Sequence, residues 1–183
     1  MEIVFVRHAE KDLESKDGNL SKKGMIQANN LAKRLSKDKF HEFYCSDKTR
    51  AKETATIVSK KIGLKPIIKK SLDEFDALVF KTEYQKWDSV SKKKYKSLKV
   101  FLDSFTKRTN SNKRILIIAH GNTNRLILGI LLELGLKNLI RFRQLETAIN
   151  EVYWKEYFNN WRMKYWNDVY HQPKALVEGK NNY

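Results

Sequence analysis

Residues 2–8, EIVFVRH, and residues 114–120, RILIIAH, have the same form: an apolar run rich in β-branched residues that ends in a histidine. A continuous apolar run of this length predicts a strand that is covered on both faces, as in a parallel sheet. Ligands of open parallel sheets bind beyond the carboxyl ends of the strands. We therefore expect His8 and His120 to lie at one edge of a sheet, in a binding site.

The rest of the chain alternates short apolar stretches with amphipathic ones, which predicts an α/β fold with a largely parallel sheet. Ser21 is expected to cap a helix whose apolar side includes Met25, and Gly63 is expected to end the next helix. Further elements are predicted as strands at 42–46 and 67–68, helices at 84–108 and 123–134, and a hairpin over 149–166 that turns at Asn159 and Asn160.

Length and composition indicate a single globular domain, residues 1–183, because 41% of the residues are hydrophobic and 11% aromatic. One cysteine, Cys45, excludes an internal disulfide and a cysteine-based zinc motif. The longest apolar stretch, residues 126–132, is too short to span a bilayer, and the first residues lack the pattern of a signal peptide. We expect a cytoplasmic protein with no membrane segment.

The formal charge of +16 comes from 37 Lys and Arg residues against 21 Asp and Glu residues. Such a charge suggests an anionic partner: nucleic acid, a membrane surface or a phosphorylated metabolite. The basic residues are spread along the chain and form no single block, which favours a solvated basic surface over a nucleic-acid site.

A third strand end adds chemistry to the two histidines. Residues 46–55, SDKTRAKETA, follow a predicted strand and place Arg50 in the first turn of a helix. Arg7 and Arg50 can bind a phosphate through their forked donors, and helix N-termini add backbone N–H groups that favour an anion. Two arginines and two histidines around a phosphate suit phosphoryl transfer to a nitrogen nucleophile.

These segments resemble the histidine phosphatase superfamily, which includes the cofactor-dependent phosphoglycerate mutases. Residues 7–10, RHAE, are similar to its Arg-His-Gly-Glu start, and residues 20–28, LSKKGMIQA, to its Leu-Thr-x-x-Gly-x-x-Gln-Ala segment. SDKTRAKETA resembles Ser-Pro-Leu-x-Arg-Ala-x-Gln-Thr-Ala, and residues 119–127, AHGNTNRLI, resemble Ser-His-Gly-Gly-x-x-Arg. With WNDVYH at 166–171, similar to an Asn-Asp-x-x-His ending, the resemblance runs from Ile3 to His171.

The resemblance implies a three-layer α/β/α sandwich and a role for each matched residue. His8 would be the nucleophile that becomes phosphohistidine, and Glu74, in SLDEF, would be the proton donor, with Asp73 and Asp76 as alternative acids. The transferring phosphoryl group and the substrate would be bound by Arg7, Arg50, His120, Gly121 and Asn122. No metal and no cofactor are implied.

The sequence also departs from the family pattern. Ala9 replaces a glycine, which is acceptable if the backbone there avoids positive φ. Glu14 stands where many members have a phosphate-contacting asparagine, so we expect it to face solvent or the loop to be rearranged. Residues 76–87, DALVFKTEYQKW, replace a Gly-x-Trp-Glu-Gly pattern in the expected leaving-group pocket.

Some other polar residues have both a functional and an ordinary interpretation. Lys11, Lys81 and Lys86 are candidates for contact with an acidic substrate, although surface lysines are the simpler interpretation. Asp168 and His171 either brace the site or are structural polar residues.

The function implied is that of a phosphomonoesterase, a hydrolase acting through phosphohistidine on a small phosphorylated metabolite or a phosphopeptide. The first alternative is a phosphoglycerate mutase, for which the chain is short and the segment after Glu74 does not match. The second is a catalytically inactive relative that binds nucleic acid. A metal site of His8, His120 and His171 is a third and weaker alternative, because two arginines would repel a cation. The natural substrate and the oligomeric state stay open.

Overall fold

The computed structural model describes residues 1–107 and 112–177. It contains strands β1 to β6 and helices α1 to α6, with three short 3-10 helices between β3 and α3. The strands are β1 (Glu2–Arg7), β2 (Glu42–Cys45), β3 (Ile67–Ile68), β4 (Arg114–Ala119), β5 (Ile149–Lys155) and β6 (Asn160–Asp168). The helices are α1 (Lys22–Leu35), α2 (Thr49–Ile62), α3 (Ser89–Thr106), α4 (Gly121–Leu131), α5 (Leu136–Leu139) and α6 (Lys174–Val177).

The six strands form one sheet in the order β3-β2-β4-β1-β5-β6. Strands β3, β2, β4 and β1 pair in parallel, whereas β5 and β6 are antiparallel to their neighbours. The two apolar runs lie side by side at the centre, with Ile3 opposite Ile115 and Arg7 opposite Ala119. This confirms the prediction of a largely parallel sheet and brings the ends of β1 and β4 together.

Helices cover both faces of the sheet, because side chains of a strand alternate between its faces. Ile3 and Ile117 pack in one core with α3 and α4, whereas Val4 and Ile118 pack in a second core with α1 and α2. The four central residues of β1 are fully buried. The fold is therefore the expected three-layer α/β/α sandwich.

The helix termini follow the capping signals in the sequence. The Ser21 hydroxyl accepts a hydrogen bond from the Gly24 N–H at 2.9 Å, and Gly63 ends α2 with a φ of 70°. Met25 is 44% exposed, so its placement on the apolar side of α1 was wrong. The buried side of α1 instead includes Gly24, where an added Cβ would lie 2.0 Å from the Glu10 carbonyl oxygen.

Two predicted helices have different boundaries in the structure. Helix α3 begins at Ser89 because the Asp88 carboxylate caps it by accepting the Ser91 N–H at 2.8 Å, and position 108 of the prediction lies outside the described residues. Helix α4 begins two residues earlier than predicted, at Gly121, and ends at Leu131. The start of α4 directly after His120 is the difference that matters for the site.

The predicted hairpin is present, with Asn159 at a φ of 48° in its turn, although Asn160 already belongs to β6. Within residues 1–107 and 112–177, no helix has the length and apolar character that a membrane-spanning segment needs.

Candidate active site

Three strand ends meet at one edge of the sheet and place the predicted histidines and arginines together. His8 follows β1, His120 follows β4, and Arg50 lies in the first turn of α2, after β2. The imidazole rings of His8 and His120 are 4.9 Å apart between centroids and meet edge to face. The parallel register of β1 with β4 is what brings these histidines into contact.

The hydrogen bonds of His8 define its tautomer. Its Nδ1 lies 2.6 Å from the Ala9 carbonyl oxygen, which can only accept, so Nδ1 carries the proton. Its Nε2 accepts a hydrogen bond from Arg50 Nε at 2.9 Å. Burial lowers the pKa of His8 well below its ordinary value, and the charges of Arg7 and Arg50 act in the same direction. His8 is therefore a neutral imidazole with a lone pair on Nε2.

His120 is oriented through a chain of hydrogen bonds that the sequence did not predict. The Ser46 hydroxyl donates to the Asp73 carboxylate at 2.8 Å, so its oxygen accepts the Nε2–H of His120 at 2.7 Å. Nδ1 then carries the lone pair; it is buried and has no hydrogen-bond partner among the described residues. Burial lowers the pKa of His120 well below its ordinary value, and the neighbouring His8 and Arg50 add to this.

Glu74 lies beside His120, with its Oε2 3.8 Å from His120 Nδ1. Its Oε1 accepts the backbone N–H of Asn122 at 3.0 Å, and Lys94 Nζ donates to its backbone carbonyl. Burial raises the pKa of Glu74, and the Asn122 N–H and the arginine charges oppose this effect only in part. A carboxyl group with a raised pKa suits a proton donor.

The two alternative acids have other contacts. Asp73 accepts hydrogen bonds from the Ser46 hydroxyl and from the Asp47 N–H at 2.9 Å, so its carboxylate is committed to orienting His120. Asp76 is exposed and caps a short 3-10 turn by accepting the Leu78 N–H at 2.8 Å. The geometry thus favours Glu74 over both.

Arg7 is held by a segment that sequence reasoning missed. Its Nη1 donates to the Gln144 carbonyl oxygen at 2.5 Å, and its Nη2 is paired with the Glu146 carboxylate at 2.8 Å. Thr147 anchors this segment to β1, because its N–H donates to the Arg7 carbonyl oxygen at 3.1 Å. Thr147 has a φ of 58°, a strained conformation for a β-branched residue. The sequence around Thr147 contains no recognisable signal for this arrangement.

Gly121 and Asn122, which were also predicted to bind the substrate, differ in their contacts. Gly121 begins α4 against the Arg7 side chain, where an added Cβ would be 3.8 Å from Arg7 Cδ. The side-chain amide of Asn122 donates to the Phe75 carbonyl oxygen at 2.8 Å and its oxygen accepts from Arg125 at 2.7 Å, so only its backbone N–H contacts a site carboxylate.

The departures from the family pattern fit the structure. The backbone at Ala9 has no positive φ, and Glu14 is exposed. Lys81 and Lys86 are exposed, and so is Lys11, although its charge helps lower the pKa of His8.

His171 does not join this group. Within the described part of the chain, neither of its ring nitrogens has a hydrogen-bond partner, and burial lowers its pKa to about 4. Among residues 1–107 and 112–177, one group of side chains is close enough to hold a metal ion. It consists of His8, Glu74 and His120, whose ligand atoms lie within 4.8 Å of one another.

Comparisons with known proteins identify a family that the chain matches. The sequence model of the histidine phosphatase superfamily (branch 1) matches residues 3–107 and 96–169. A protein of Hydrogenobacter thermophilus named "Putative phosphoserine phosphatase 2" is 26% identical over 179 residues, which cover 82% of this chain and 88% of that protein.

Two solved structures show the same fold. A mycobacterial glucosyl-3-phosphoglycerate phosphatase, solved with VO3, has a TM-score of 0.76 at 18% identity. The match covers 92% of this chain and 99% of that protein's chain. The phosphoserine phosphatase of Entamoeba histolytica, solved with 3-phosphoglyceric acid, has a TM-score of 0.69 at 20% identity. The match covers 93% of this chain and 98% of that protein's chain.

The chain belongs to the histidine phosphatase superfamily. Its enzyme class is that of the phosphatases, which are hydrolases, as the sequence predicted.

Proposed function

We propose that this phosphatase hydrolyses small phosphomonoesters by way of a phosphohistidine formed on His8. The observation that carries the proposal is the neutral Nε2 of His8, which is unprotonated and surrounded by Arg7, Arg50 and His120. A nitrogen nucleophile needs a free lone pair, and the Nδ1 hydrogen bond to Ala9 supplies it by fixing the tautomer.

The chemistry follows in two transfers. His8 Nε2 attacks phosphorus, the bond from phosphorus to the ester oxygen breaks, and Glu74 gives its proton to the departing alcohol. Water then attacks the phosphohistidine, returns a proton to Glu74 and releases inorganic phosphate. Arg50 exchanges its hydrogen bond with His8 for one with the phosphoryl oxygens, and Arg7 neutralises charge from the other side.

His120 must gain a proton to take part. Its Nε2–H is already donated to Ser46, so Nδ1 can donate to a phosphoryl oxygen only when it is protonated. The negative charge of a bound phosphate favours this protonation. Binding of substrate is therefore accompanied by uptake of a proton at His120, or by binding of the ester in its monoanionic form.

For the substrate we propose a small phosphorylated metabolite that also carries a carboxylate. Support comes from the relatives, whose names or bound molecules include phosphoserine, 3-phosphoglyceric acid and glucosyl-3-phosphoglycerate. Lys11 supplies an exposed cation whose charge acts on His8. A phosphopeptide remains the alternative substrate class within the same chemistry.

The test compares phosphate release from phosphoserine and phosphoethanolamine, which differ by one carboxylate. Phosphoserine should have the higher kcat/KM, and Lys11→Ala should reduce the difference by raising KM for phosphoserine alone. Lys99→Ala, which removes an exposed lysine that is not a candidate for substrate contact, is the matched control. Turnover at the wild-type rate by His8→Asn would overturn the mechanism. Equal rates for the two esters would overturn the substrate class.

We also propose a single domain and a cytoplasmic location for this protein. Packing of two cores on one sheet supports a single domain for the whole chain, although residues 108–111 and 178–183 lie outside the described residues. The single cysteine, Cys45, supports a cytoplasmic location.

Two results would favour the alternative functions. Transfer of phosphate between positions of a substrate without net release would favour a mutase, and salt-dependent nucleic-acid binding without turnover would favour an inactive relative.

A further inference from the structure

Each histidine of the site has one ring nitrogen bonded to a fixed acceptor and the other left with a lone pair. His8 donates its Nδ1–H to the Ala9 carbonyl oxygen, and His120 donates its Nε2–H to Ser46, which is bonded to the Asp73 carboxylate. Histidines that bind metals in proteins are held in this way, by a carbonyl or carboxylate on the nitrogen that faces away from the ion. The tautomers thus leave one lone pair on His8 Nε2, where it accepts the Arg50 Nε–H, and one on His120 Nδ1.

A third possible metal ligand lies close to these two nitrogen atoms. The ligand atoms of His8, His120 and Glu74 are all within 4.8 Å of one another, and the Glu74 oxygen is 3.8 Å from His120 Nδ1. Tetrahedral zinc with bonds of about 2.0–2.1 Å places its ligand atoms roughly 3.4 Å apart. To bind zinc, the ligand atoms must therefore approach one another by up to about 1.4 Å, and Arg50 must leave His8 Nε2.

His120 Nδ1 is the observation that points most directly to a ligand. His120 is fully buried, and its Nδ1 is a buried polar atom without a hydrogen-bond partner among residues 1–107 and 112–177. The lone pair of His120 Nδ1 is therefore available to a ligand that enters the site.

We propose that the resting site binds one borderline divalent transition-metal cation, of which Zn²⁺ is the reference, through His8 Nε2, His120 Nδ1 and the Glu74 carboxylate. Two imidazole nitrogens and one carboxylate oxygen, with a fourth position open, form a common zinc ligand set, whereas Mg²⁺ and Ca²⁺ select oxygen ligands. The bound cation uses the lone pair with which His8 would attack phosphorus, so it inhibits the phosphatase and competes with the substrate.

Repulsion by the arginines does not exclude this site. Arg7 is paired with the Glu146 carboxylate at 2.8 Å, which offsets its charge. Arg50 lies against His8 Nε2 and is partly exposed, so it must turn away from the ring as the cation binds. The carboxylates of Asp73 and Glu74 offset part of the remaining positive charge, which includes that of Lys94 and Lys48. A phosphate and the cation thus require different positions of the Arg50 side chain.

The first test measures binding of ZnCl₂ to metal-free full-length enzyme by calorimetry in phosphate-free buffer, with CoCl₂ absorption spectra as a second readout. One ion should bind, and Co²⁺ should give the intense visible bands of a tetrahedral site. His120→Ala and Glu74→Gln should each weaken binding strongly. Asp73→Ala, which removes the acceptor of the Ser46 hydroxyl, should weaken it roughly 10- to 100-fold. His41→Gln removes an exposed histidine outside the site and should leave the affinity unchanged.

The second test follows inhibition of p-nitrophenyl phosphate hydrolysis. Zn²⁺ should inhibit competitively, Mg²⁺ should not inhibit, and a chelator should restore the full rate. Noncompetitive inhibition, or Zn²⁺ binding that survives in both His120→Ala and Glu74→Gln, would overturn the proposal. So would loss of binding in His41→Gln, which identifies surface binding only. Calorimetry and Co²⁺ spectra need no turnover, so they remain decisive if His8 proves not to be the nucleophile.

Discussion

Replacing Glu74 by Gln separates its role as an acid from its role in the structure. Glu74 Oε1 accepts the Asn122 N–H at 3.0 Å, and the amide oxygen of Gln can accept the same bond. The size of the side chain is also preserved. Glu74→Gln should therefore fold normally and lose only the ability to give and take a proton.

The expected loss depends on the alcohol that leaves. General acid catalysis contributes roughly 10² to 10⁴ in rate, which corresponds to about 2.7 to 5.4 kcal/mol at 1.36 kcal/mol per tenfold. An alkoxide is too basic to leave without a proton, so an alkyl phosphate such as phosphoserine should lose most of this amount. p-Nitrophenolate is stable as an anion, so its phosphate ester should lose far less.

The assay is a single-turnover measurement of phosphoenzyme formation with each ester, because slow hydrolysis of the phosphoenzyme would hide the difference in steady state. Asp76→Asn is the control: its carboxylate is exposed and bonded to the Leu78 N–H, and both rates should stay near the wild-type values. Equal and small effects of Glu74→Gln on the two esters would refute the assignment of Glu74 as the acid.

Three further outcomes are expected. Asp73→Ala should raise KM for phosphate esters because the Ser46 hydroxyl loses its acceptor and is freed to rotate, so that His120 loses its fixed tautomer; an unchanged KM in steady-state assays would contradict this. The pKa of His171 is lowered to about 4 from about 6.5, so the unfolded chain binds the proton first and stability is lost as pH falls through that window, by at most about 3 kcal/mol. Urea titrations should show a smaller loss in His171→Gln. Burial raises the pKa of Cys45 to about 12, so a thiol reagent at neutral pH should react with the denatured chain and spare the native one.

Sequence patterns were most informative where one short segment contains the whole signal. The β1 and β4 runs could be recognised because buried parallel strands are continuously apolar, and their terminal histidines then had to meet. Ser21 and Gly63 marked helix ends for equally local reasons.

Contacts between distant segments could not be predicted in this way. The bond from Ser46 to Asp73 joins residues 27 positions apart, and the bond from Arg7 to Gln144 spans 137 positions. The position of Thr147 at a positive φ depends on its anchor to β1, because a β-branched residue does not favour that conformation. These contacts orient His120 and Arg7, so the sequence predicted which side chains come together and missed what positions them.

The central claim, phosphoryl transfer to His8, is tested most directly by trapping the intermediate. Wild-type enzyme is mixed with excess phosphate ester, quenched within one turnover under alkaline conditions, and digested for mass spectrometry. The account predicts an acid-labile phosphate on the peptide that contains His8, and none in His8→Asn. A phosphate on another residue, or its absence during demonstrated burst turnover, would contradict it.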